Sequence, residues 1–157
     1  MVATLAVHLA DEAATLALGA RLARVLEPGL VVHLVGDLGA GKTTLVRGAL
    51  RALGHEGKVK SPTYTLVELY KVSRLDLYHF DFYRFKDPSE WEEAGFRELF
   101  GEAAVCLVEW PEKARGLAPG PDVRVTLALE GSGRRATVEG VTDRGERCVA
   151  RLREGPG

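Results

Sequence analysis

Apolar and polar residues alternate along several short stretches of the chain, and this spacing predicts a sheet of short strands. Residues 30–35 are mostly apolar and form a stretch short enough for a buried strand, whereas residues 105–108 are continuously apolar, which is typical of a central strand covered on both faces. Two later stretches flank Gly131-Ser132-Gly133 and predict an antiparallel hairpin. The predicted strands are residues 2–9, 30–35, 66–70, 75–83, 105–108, 123–130 and 134–139.

Apolar residues at helical spacing occur between these strands. Asp11 is a good N-cap for a first helix, and Asp87, followed by a proline, begins another that continues to residues 100–101. The tail from residue 142 fits either a short strand or a helix, and residues 154–157 are expected to be frayed. Strands alternating with helices in a chain of this length predict a single α/β domain, residues 1–157.

The stretch with the clearest chemistry is residues 36–43, G-D-L-G-A-G-K-T, which matches the phosphate-binding P-loop pattern. It follows a predicted strand and precedes a predicted helix, as the pattern requires. Its glycines let the backbone bend around an anion, and the helix N-terminus adds positive potential. In this pattern Lys42 reaches the β- and γ-phosphates and the Thr43 hydroxyl binds Mg²⁺. The alternative is a chance glycine turn before a helix.

Two acidic residues near strand ends are candidates for holding the metal or the attacking water. Glu109 directly follows the apolar run 105–108, and ligands of open α/β sheets bind at the carboxyl ends of strands. Glu109 is therefore well placed to hold Mg²⁺, and a solvated strand end is the alternative. Asp81 lies among bulky neighbours and needs a partner, which is a metal, a bound water or, as a structural alternative, Arg84.

A hydroxyl-rich loop follows the P-loop. Many nucleotide switches place a threonine-bearing loop at about this distance, roughly twenty residues on, where it senses the γ-phosphate and Mg²⁺. A turn that enters the next strand explains the spacing equally well. The tryptophan after Glu109, Trp110, covers the site, contacts a partner or packs in the interior. The loop consists of Ser61, Pro62, Thr63, Tyr64 and Thr65.

Composition narrows the choice of nucleotide and the location of the protein. The chain contains neither Asn nor Gln, so it has neither the Asn-Lys-x-Asp motif that reads guanine nor a water-positioning glutamine. We therefore expect ATP. A net charge of −1 argues against nonspecific coating of nucleic acid. No apolar run approaches the roughly 18 residues of a membrane span and no signal peptide is visible, so we expect a cytoplasmic protein without membrane contact.

Other residue counts carry less information. Two cysteines and four scattered histidines indicate neither a disulfide framework nor a zinc site, and we interpret the histidines as structural. The chain has a single Met, and its 15 Arg outnumber its 6 Lys. The depletion of Asn, Gln and Met, which are thermolabile, indicates an organism that grows at high temperature, although a GC-rich genome explains the Arg excess almost as well.

Four segments resemble the TsaE (YjeE) family, small ATPases needed in bacteria for threonylcarbamoyl adenosine formation on tRNA, at the adenosine next to the anticodon. The segments occur in the family's order and spacing, and the resemblance extends from about Leu9 into the C-terminal hairpin. SPTYT together with the E-W-P end of the central strand is the most specific part. The four segments are GDLGAGKTT at 36–44, VKSPTYTLVE at 59–68, YHFDFYR at 78–84 and VCLVEWPEK at 105–113.

The resemblance implies an α/β, three-layer P-loop NTPase fold with a mixed, mostly parallel central sheet and a C-terminal antiparallel hairpin. It implies Mg²⁺ bound by Thr43 and Glu109, and catalytic roles for Lys42, Asp81 and Glu109. Thr65 and its neighbours match the family's switch-like loop. The implied ATP-binding residues are Asp11, Leu38, Gly39, Ala40, Gly41, Lys42, Thr43, Thr44 and Gly133.

The resemblance also implies partners. Family members are associated with TsaD, which transfers the threonylcarbamoyl group, and with TsaB, which pairs with TsaD. We expect this chain to dock on the TsaB–TsaD pair, to reach tRNA indirectly through the complex, and to reset the complex by an ATP hydrolysis that is weak in the chain alone. Two other functions stay open: a P-loop small-molecule kinase, and a nucleotide-dependent scaffold without essential hydrolysis.

Overall fold

The computed structural model describes residues 3–37, 39–62, 64–72, 75–101 and 103–154. Two predicted site residues, Leu38 and Thr63, lie outside the described residues, as do residues 155–157 of the predicted frayed end. The strands are β1 (Thr4–Leu9), β2 (Val31–Val35), β3 (Val67–Val72), β4 (Leu75–Asp81), β5 (Ala104–Glu109), β6 (Val123–Glu130) and β7 (Gly133–Gly140). The helices are α1 (Glu12–Ala23), α2 (Lys42–Ala52), α3 (Pro88–Ala94), α4 (Phe96–Leu99) and α5 (Asp143–Glu154), with a 3₁₀ helix at Pro111–Ala114.

The strands form one seven-stranded sheet in the order β1-β7-β6-β2-β5-β4-β3. Pairings from β6 through β2 and β5 to β4 are parallel, whereas β3–β4, β6–β7 and β7–β1 are antiparallel. Five of the described strands, β1, β2, β4, β5 and β6, therefore point in the same direction. The predicted mixed α/β sheet and its C-terminal hairpin, β6–β7, are confirmed.

Helices cover both faces of the sheet and give three layers. One interior contains apolar side chains of α1, α2 and α5, such as Leu22, Leu50 and Val149. The other interior is rich in aromatic residues and includes Phe80 of β4, Trp91 of α3 and the 3₁₀-helix residue Ala114. β5 is buried along its whole length, as its continuous apolar run predicts.

Two predicted elements differ from the structure. The helix that begins at the Asp87 cap is not continuous, because Gly95 adopts a left-handed φ of 67° and separates α3 from α4. The predicted strand 75–83 ends at Asp81. The tail, which fitted a strand or a helix, is the helix α5, and Glu154 belongs to its last turn instead of a frayed end.

None of the helices in the described part of the chain is long and apolar enough to cross a membrane.

Helices α1 and α2 cross at two glycines. A Cβ atom added to Gly48 would come well within 3.0 Å of the Leu16 carbonyl oxygen, and one added to Gly19 would do the same at Leu45. The two backbones therefore approach more closely than any side chain would permit. This contact matters for the site because α2 begins with Lys42 and Thr43.

Candidate functional site

A cleft of about 280 Å³ lies where the loop before α2 meets the carboxyl ends of β4 and β5. Strand order explains the position: β4 and β5 are parallel neighbours, and β2, which leads into the loop, pairs with β5 on its other side. Most of the predicted phosphate, metal and catalytic residues thus meet in one place. The described lining residues are Gly39, Gly41, Lys42, Thr43, Thr44, Ser61, Asp81, Tyr83, Glu109 and Trp110.

The described glycines of the loop before α2 adopt backbone conformations that favour glycine. Gly41, the residue before α2, has a left-handed φ of 105°, and no side chain caps the helix there. The first N–H groups of α2 are therefore available to an anion at the cleft. Arg134 of β7 binds the loop through two hydrogen bonds. Its Nη2 atom donates to the Gly39 carbonyl at 2.9 Å and its Nε atom donates to the Ala40 carbonyl at 3.2 Å.

Asp81 and Glu109 end neighbouring strands at the same register. The Phe82 N–H donates to the Glu109 carbonyl at 3.1 Å and continues the pairing one residue further. Both carboxyl side chains are buried, each in a residue with 3% exposure. The alternative that Glu109 is a solvated strand end is therefore wrong. Two adjacent buried carboxylates repel each other, so this end of the sheet favours a bound cation.

Glu109 is held by two side chains at the same oxygen. Its Oε2 atom accepts a hydrogen bond from the Thr43 hydroxyl at 3.3 Å. The same oxygen lies 2.5 Å from Nε2 of His79, which is completely buried. The two residues predicted to bind Mg²⁺ are thus in contact, although they are 66 positions apart in the chain.

Sequence reasoning did not assign His79 to the site, because the four scattered histidines were interpreted as structural. A signal was nevertheless present: His79 and Asp81 are two positions apart in a strand, so their side chains leave the same face of the sheet. Arg134 was missed as well, and its contact with the glycine loop, 95 positions away in the chain, has no local signal.

Asp81 binds the loop that follows α2. Its Oδ2 atom accepts a hydrogen bond from the Ser61 hydroxyl, and its Oδ1 atom accepts one from the Tyr83 N–H at 2.9 Å. The guanidinium of Arg84, the predicted structural partner of Asp81, lies 4.5 Å from the centre of the Tyr64 ring. Asp81 thus connects the cleft to the hydroxyl-rich loop.

Pro62, Tyr64 and Thr65, the other described residues of that loop, do not line the cleft. Pro62 is buried, and its carbonyl accepts a hydrogen bond from the Leu66 N–H at 2.8 Å. Tyr64 is 82% exposed, and the Thr65 hydroxyl donates to the Val67 carbonyl at 3.4 Å. Among the described residues of the loop, Ser61 is the one whose hydroxyl the structure brings to the cleft. A switch role for Thr65 stays a prediction.

Lys42 folds back onto its own loop. The residue is only 5% exposed, its ammonium donates to the Gly36 carbonyl, and it lies 3.8 Å from the centre of the Trp110 ring. Burial lowers the pKa of Lys42, and the nearby carboxylates of Glu109 and Asp81 partly offset this effect. The cation–π contact and the carboxylates keep the charged amine at the floor of the cleft.

Trp110 lies over the cleft, one of the positions considered for it, and it also packs at 5.0 Å from the Tyr83 ring. Its backbone is left-handed, with φ 55° and ψ 49°, a conformation that costs energy for a bulky residue. The 3₁₀ helix follows immediately. This left-handed turn places the Trp110 ring beside the Lys42 ammonium.

A second cleft of about 320 Å³ lies on the other side of the glycine loop. It brings together Asp11 and Gly133, two of the residues implied to bind ATP, although they come from opposite ends of the chain. The Asp11 carboxylate also caps α1 by accepting from the Ala14 N–H at 2.9 Å. The two clefts share Gly39, Gly41 and Thr44, so together they surround the loop.

Comparisons with known proteins agree with this architecture. A family model described as "Threonylcarbamoyl adenosine biosynthesis protein TsaE" matches residues 9–137. A relative from Haemophilus influenzae named tRNA threonylcarbamoyladenosine biosynthesis protein TsaE is 42% identical over 148 residues, which cover 91% of this chain and 94% of the relative. A Bacillus subtilis protein of the same name is 39% identical over 77% of this chain and 75% of its own length.

The crystal structure of YdiB from Bacillus subtilis has the same fold. It superposes with a TM-score of 0.84 at 31% sequence identity and covers 98% of this chain and 97% of its own.

Proposed function

Because the chain belongs to the TsaE family of threonylcarbamoyl adenosine biosynthesis proteins, we propose that it is the Mg²⁺-dependent ATPase subunit of tRNA threonylcarbamoyladenosine formation. One observation carries the nucleotide part of this proposal. The Thr43 hydroxyl at the start of the P-loop helix lies 3.3 Å from the Glu109 carboxylate at the end of the central strand. This pair supplies metal ligands beside a phosphate-binding loop.

The residues of the cleft fit a magnesium ion. Mg²⁺ prefers hard oxygen ligands and is commonly held by one or two protein groups together with substrate phosphates. Thr43 and Glu109 would provide these oxygens, while the adjacent Asp81 adds negative charge to the same wall. Mg²⁺ held by these residues would supply positive charge that offsets the charge of the phosphates.

The residues around the loop fit a nucleoside triphosphate. The uncapped N–H groups of α2 and the Lys42 ammonium would bind its phosphates. The second cleft, with Asp11 and Gly133, would receive the nucleoside. Asp81 would orient the attacking water, because it is buried at the cleft with both oxygens already fixed by Ser61 and the Tyr83 N–H.

The proposed partners are TsaD and TsaB, with tRNA contacted through their complex. Hydrolysis by this subunit would reset the complex between rounds of modification. The kinase alternative expects an Arg-bearing lid, but the adjacent arginines lie on β7, where Arg134 binds the glycine loop and Arg135 pairs with Glu130. This arrangement favours water over a small metabolite as the phosphate acceptor.

The test measures multiple-turnover tRNA modification by TsaB, TsaD and the enzyme that supplies their activated intermediate, with ATP, in the presence and absence of this chain. Glu109→Gln keeps the size of the side chain and removes its charge, and Lys42→Ala removes the phosphate-binding amine. Glu93→Gln, on the exposed face of α3, is the matched control. We expect multiple turnovers with the wild type and Glu93→Gln, and a loss of about 100-fold or more in ATP hydrolysis for Glu109→Gln.

Equal modification yields with and without the chain would contradict the proposed role, as would full activity of Lys42→Ala. Single-turnover hydrolysis in the assembled complex distinguishes the proposed ATPase from a scaffold that only binds the nucleotide. Full stimulation of modification without release of phosphate would instead identify a nucleotide-dependent scaffold. Transfer of phosphate from ATP to a small metabolite would identify a kinase.

A further inference from the structure

We propose that His79 is a positioning residue for the metal site: its imidazole donates from Nε2 to Oε2 of Glu109 and keeps this carboxylate turned toward Thr43. The inference rests on the proposed function, because it assigns a purpose to the orientation of a metal ligand. His79 itself touches neither nucleotide nor metal in this arrangement. Its effect passes entirely through Glu109.

Among the described residues, His79 has no polar side-chain contact other than the one with Glu109. Its side chain is completely buried, and Nε2 lies 2.5 Å from the Glu109 oxygen. The other ring nitrogen, Nδ1, has no hydrogen-bond partner among the described residues. The contact with the Glu109 oxygen is therefore the hydrogen bond that satisfies this buried histidine and fixes its ring.

The surroundings of the two ring nitrogens also indicate which one donates. Nε2 faces a carboxylate oxygen, which accepts hydrogen bonds, whereas Nδ1 has no hydrogen-bond partner among the described residues. The N–H group that makes the contact is therefore the one on Nε2. A carboxylate held by such a hydrogen bond keeps its orientation toward the cation site.

The hydrogen bond from His79 matters because other charged groups also act on the Glu109 carboxylate. Asp81 ends the neighbouring strand at the same register and repels it. The Lys42 ammonium interacts favourably with both carboxylates, so it also acts on the position of Glu109. The hydrogen bond from His79, which lies two residues before Asp81 in β4, holds the Glu109 oxygen in place against both forces.

The experiment compares three variants. His79→Leu removes the donor at similar volume, whereas His79→Gln keeps an N–H group that can reach the same oxygen. His33→Leu, a partly buried histidine of β2 that lies outside the cleft, is the matched control. The readouts are Mn²⁺ affinity by electron paramagnetic resonance with a non-hydrolysable ATP analogue, affinity for the analogue in EDTA, and thermal unfolding.

We expect His79→Leu to weaken Mn²⁺ binding by about 10- to 100-fold and to leave analogue affinity in EDTA within about 2-fold. His79→Gln should recover most of the loss, and His33→Leu should bind Mn²⁺ like the wild type. A folded His79→Leu protein with unchanged Mn²⁺ affinity would overturn the proposal. So would equal losses with and without metal, which would indicate a general structural role.

A measurement on the wild type keeps the proposal testable if His79→Leu does not fold. Nitrogen-15 NMR of labelled histidine should show that Nε2 of His79 carries the proton donated in a hydrogen bond. The opposite tautomer would overturn the inference. If the wild type binds the analogue equally well with and without metal, the proposed function itself fails, and that result is distinguishable from a failure of the His79 variants alone.

Discussion

The ammonium of Lys42 lies 3.8 Å from the centre of the Trp110 ring and donates to the carbonyl of Gly36 in its own loop. Phosphates bound at the start of α2 would offer the amine a stronger partner than a ring and a carbonyl. Lys42 would then leave the ring. Nucleotide binding is thus expected to change the surroundings of one of the two tryptophans in the chain.

We predict that Mg²⁺-ATP changes the fluorescence of Trp110. The contact with a cation is lost and the ring comes to face phosphate, so the emission of the wild type should shift in intensity or wavelength. Trp110→Phe retains Trp91, which is buried in the aromatic interior away from the cleft, and is the control. An equal ATP-dependent change in Trp110→Phe would contradict the prediction. Fluorescence titration measures both proteins.

The close crossing of α1 and α2 predicts a steric effect of a single methyl group. In Gly48→Ala, the new Cβ atom would clash with the Leu16 carbonyl, a backbone atom that cannot rotate away. We expect a loss of about 1–3 kcal/mol in the free energy of unfolding, which outweighs the better helix propensity of Ala. Gly120→Ala, where a Cβ atom meets nothing within 4 Å, should have little effect. Urea unfolding of both variants is the measurement.

Both cysteines are predicted to be unreactive in the folded protein. Burial raises the pKa of the Cys106 thiol to about 12 and also raises the pKa of Cys148, so neither forms the reactive thiolate near pH 8. Ellman's reagent should detect no rapidly reacting thiol in the native chain and two after unfolding in guanidinium. A fast native reaction of one thiol would show that its strand or helix opens.

An ion pair between the end of α1 and α5 predicts a pH-dependent contribution to stability. Arg144 donates to Glu27 at 2.7 Å, and this hydrogen bond lowers the pKa of the Glu27 carboxyl. A lowered pKa in the folded state stabilises the protein above the unfolded value of about 4.3, and the contribution is lost as pH falls through the lowered value. Glu27→Gln should therefore cost up to about 1 kcal/mol at pH 7, and this cost should decrease as the pH falls below the unfolded value.

The control for this prediction is Glu12→Gln, whose carboxylate is largely exposed and lies 3.8 Å from Arg47. Its effect should be smaller at pH 7. A Glu27→Gln effect that persists undiminished at pH 3 would mean that packing, and not charge, supplies the contribution.

Local pattern was enough to predict most of the fold. The glycine loop at 36–43, the buried strand that ends at Glu109 and the hairpin around Gly131 each depend on residues close together in the chain. The break at Gly95 was missed because a glycine within an otherwise helical pattern does not reveal whether it takes the left-handed conformation. The tail was ambiguous because several of its apolar residues are consecutive, which fits either period.

Sequence by itself singled out groups that meet in one cleft: an amine and a hydroxyl at the end of a glycine loop, and carboxylates at strand ends. Only the tertiary structure decided how these groups are held. His79 reaches Glu109 across 30 positions, Thr43 reaches it across 66, and Arg134 supports the glycine loop across 95. These contacts arise from the order of strands in the sheet, which sets distances in space that periodicity along the chain does not encode.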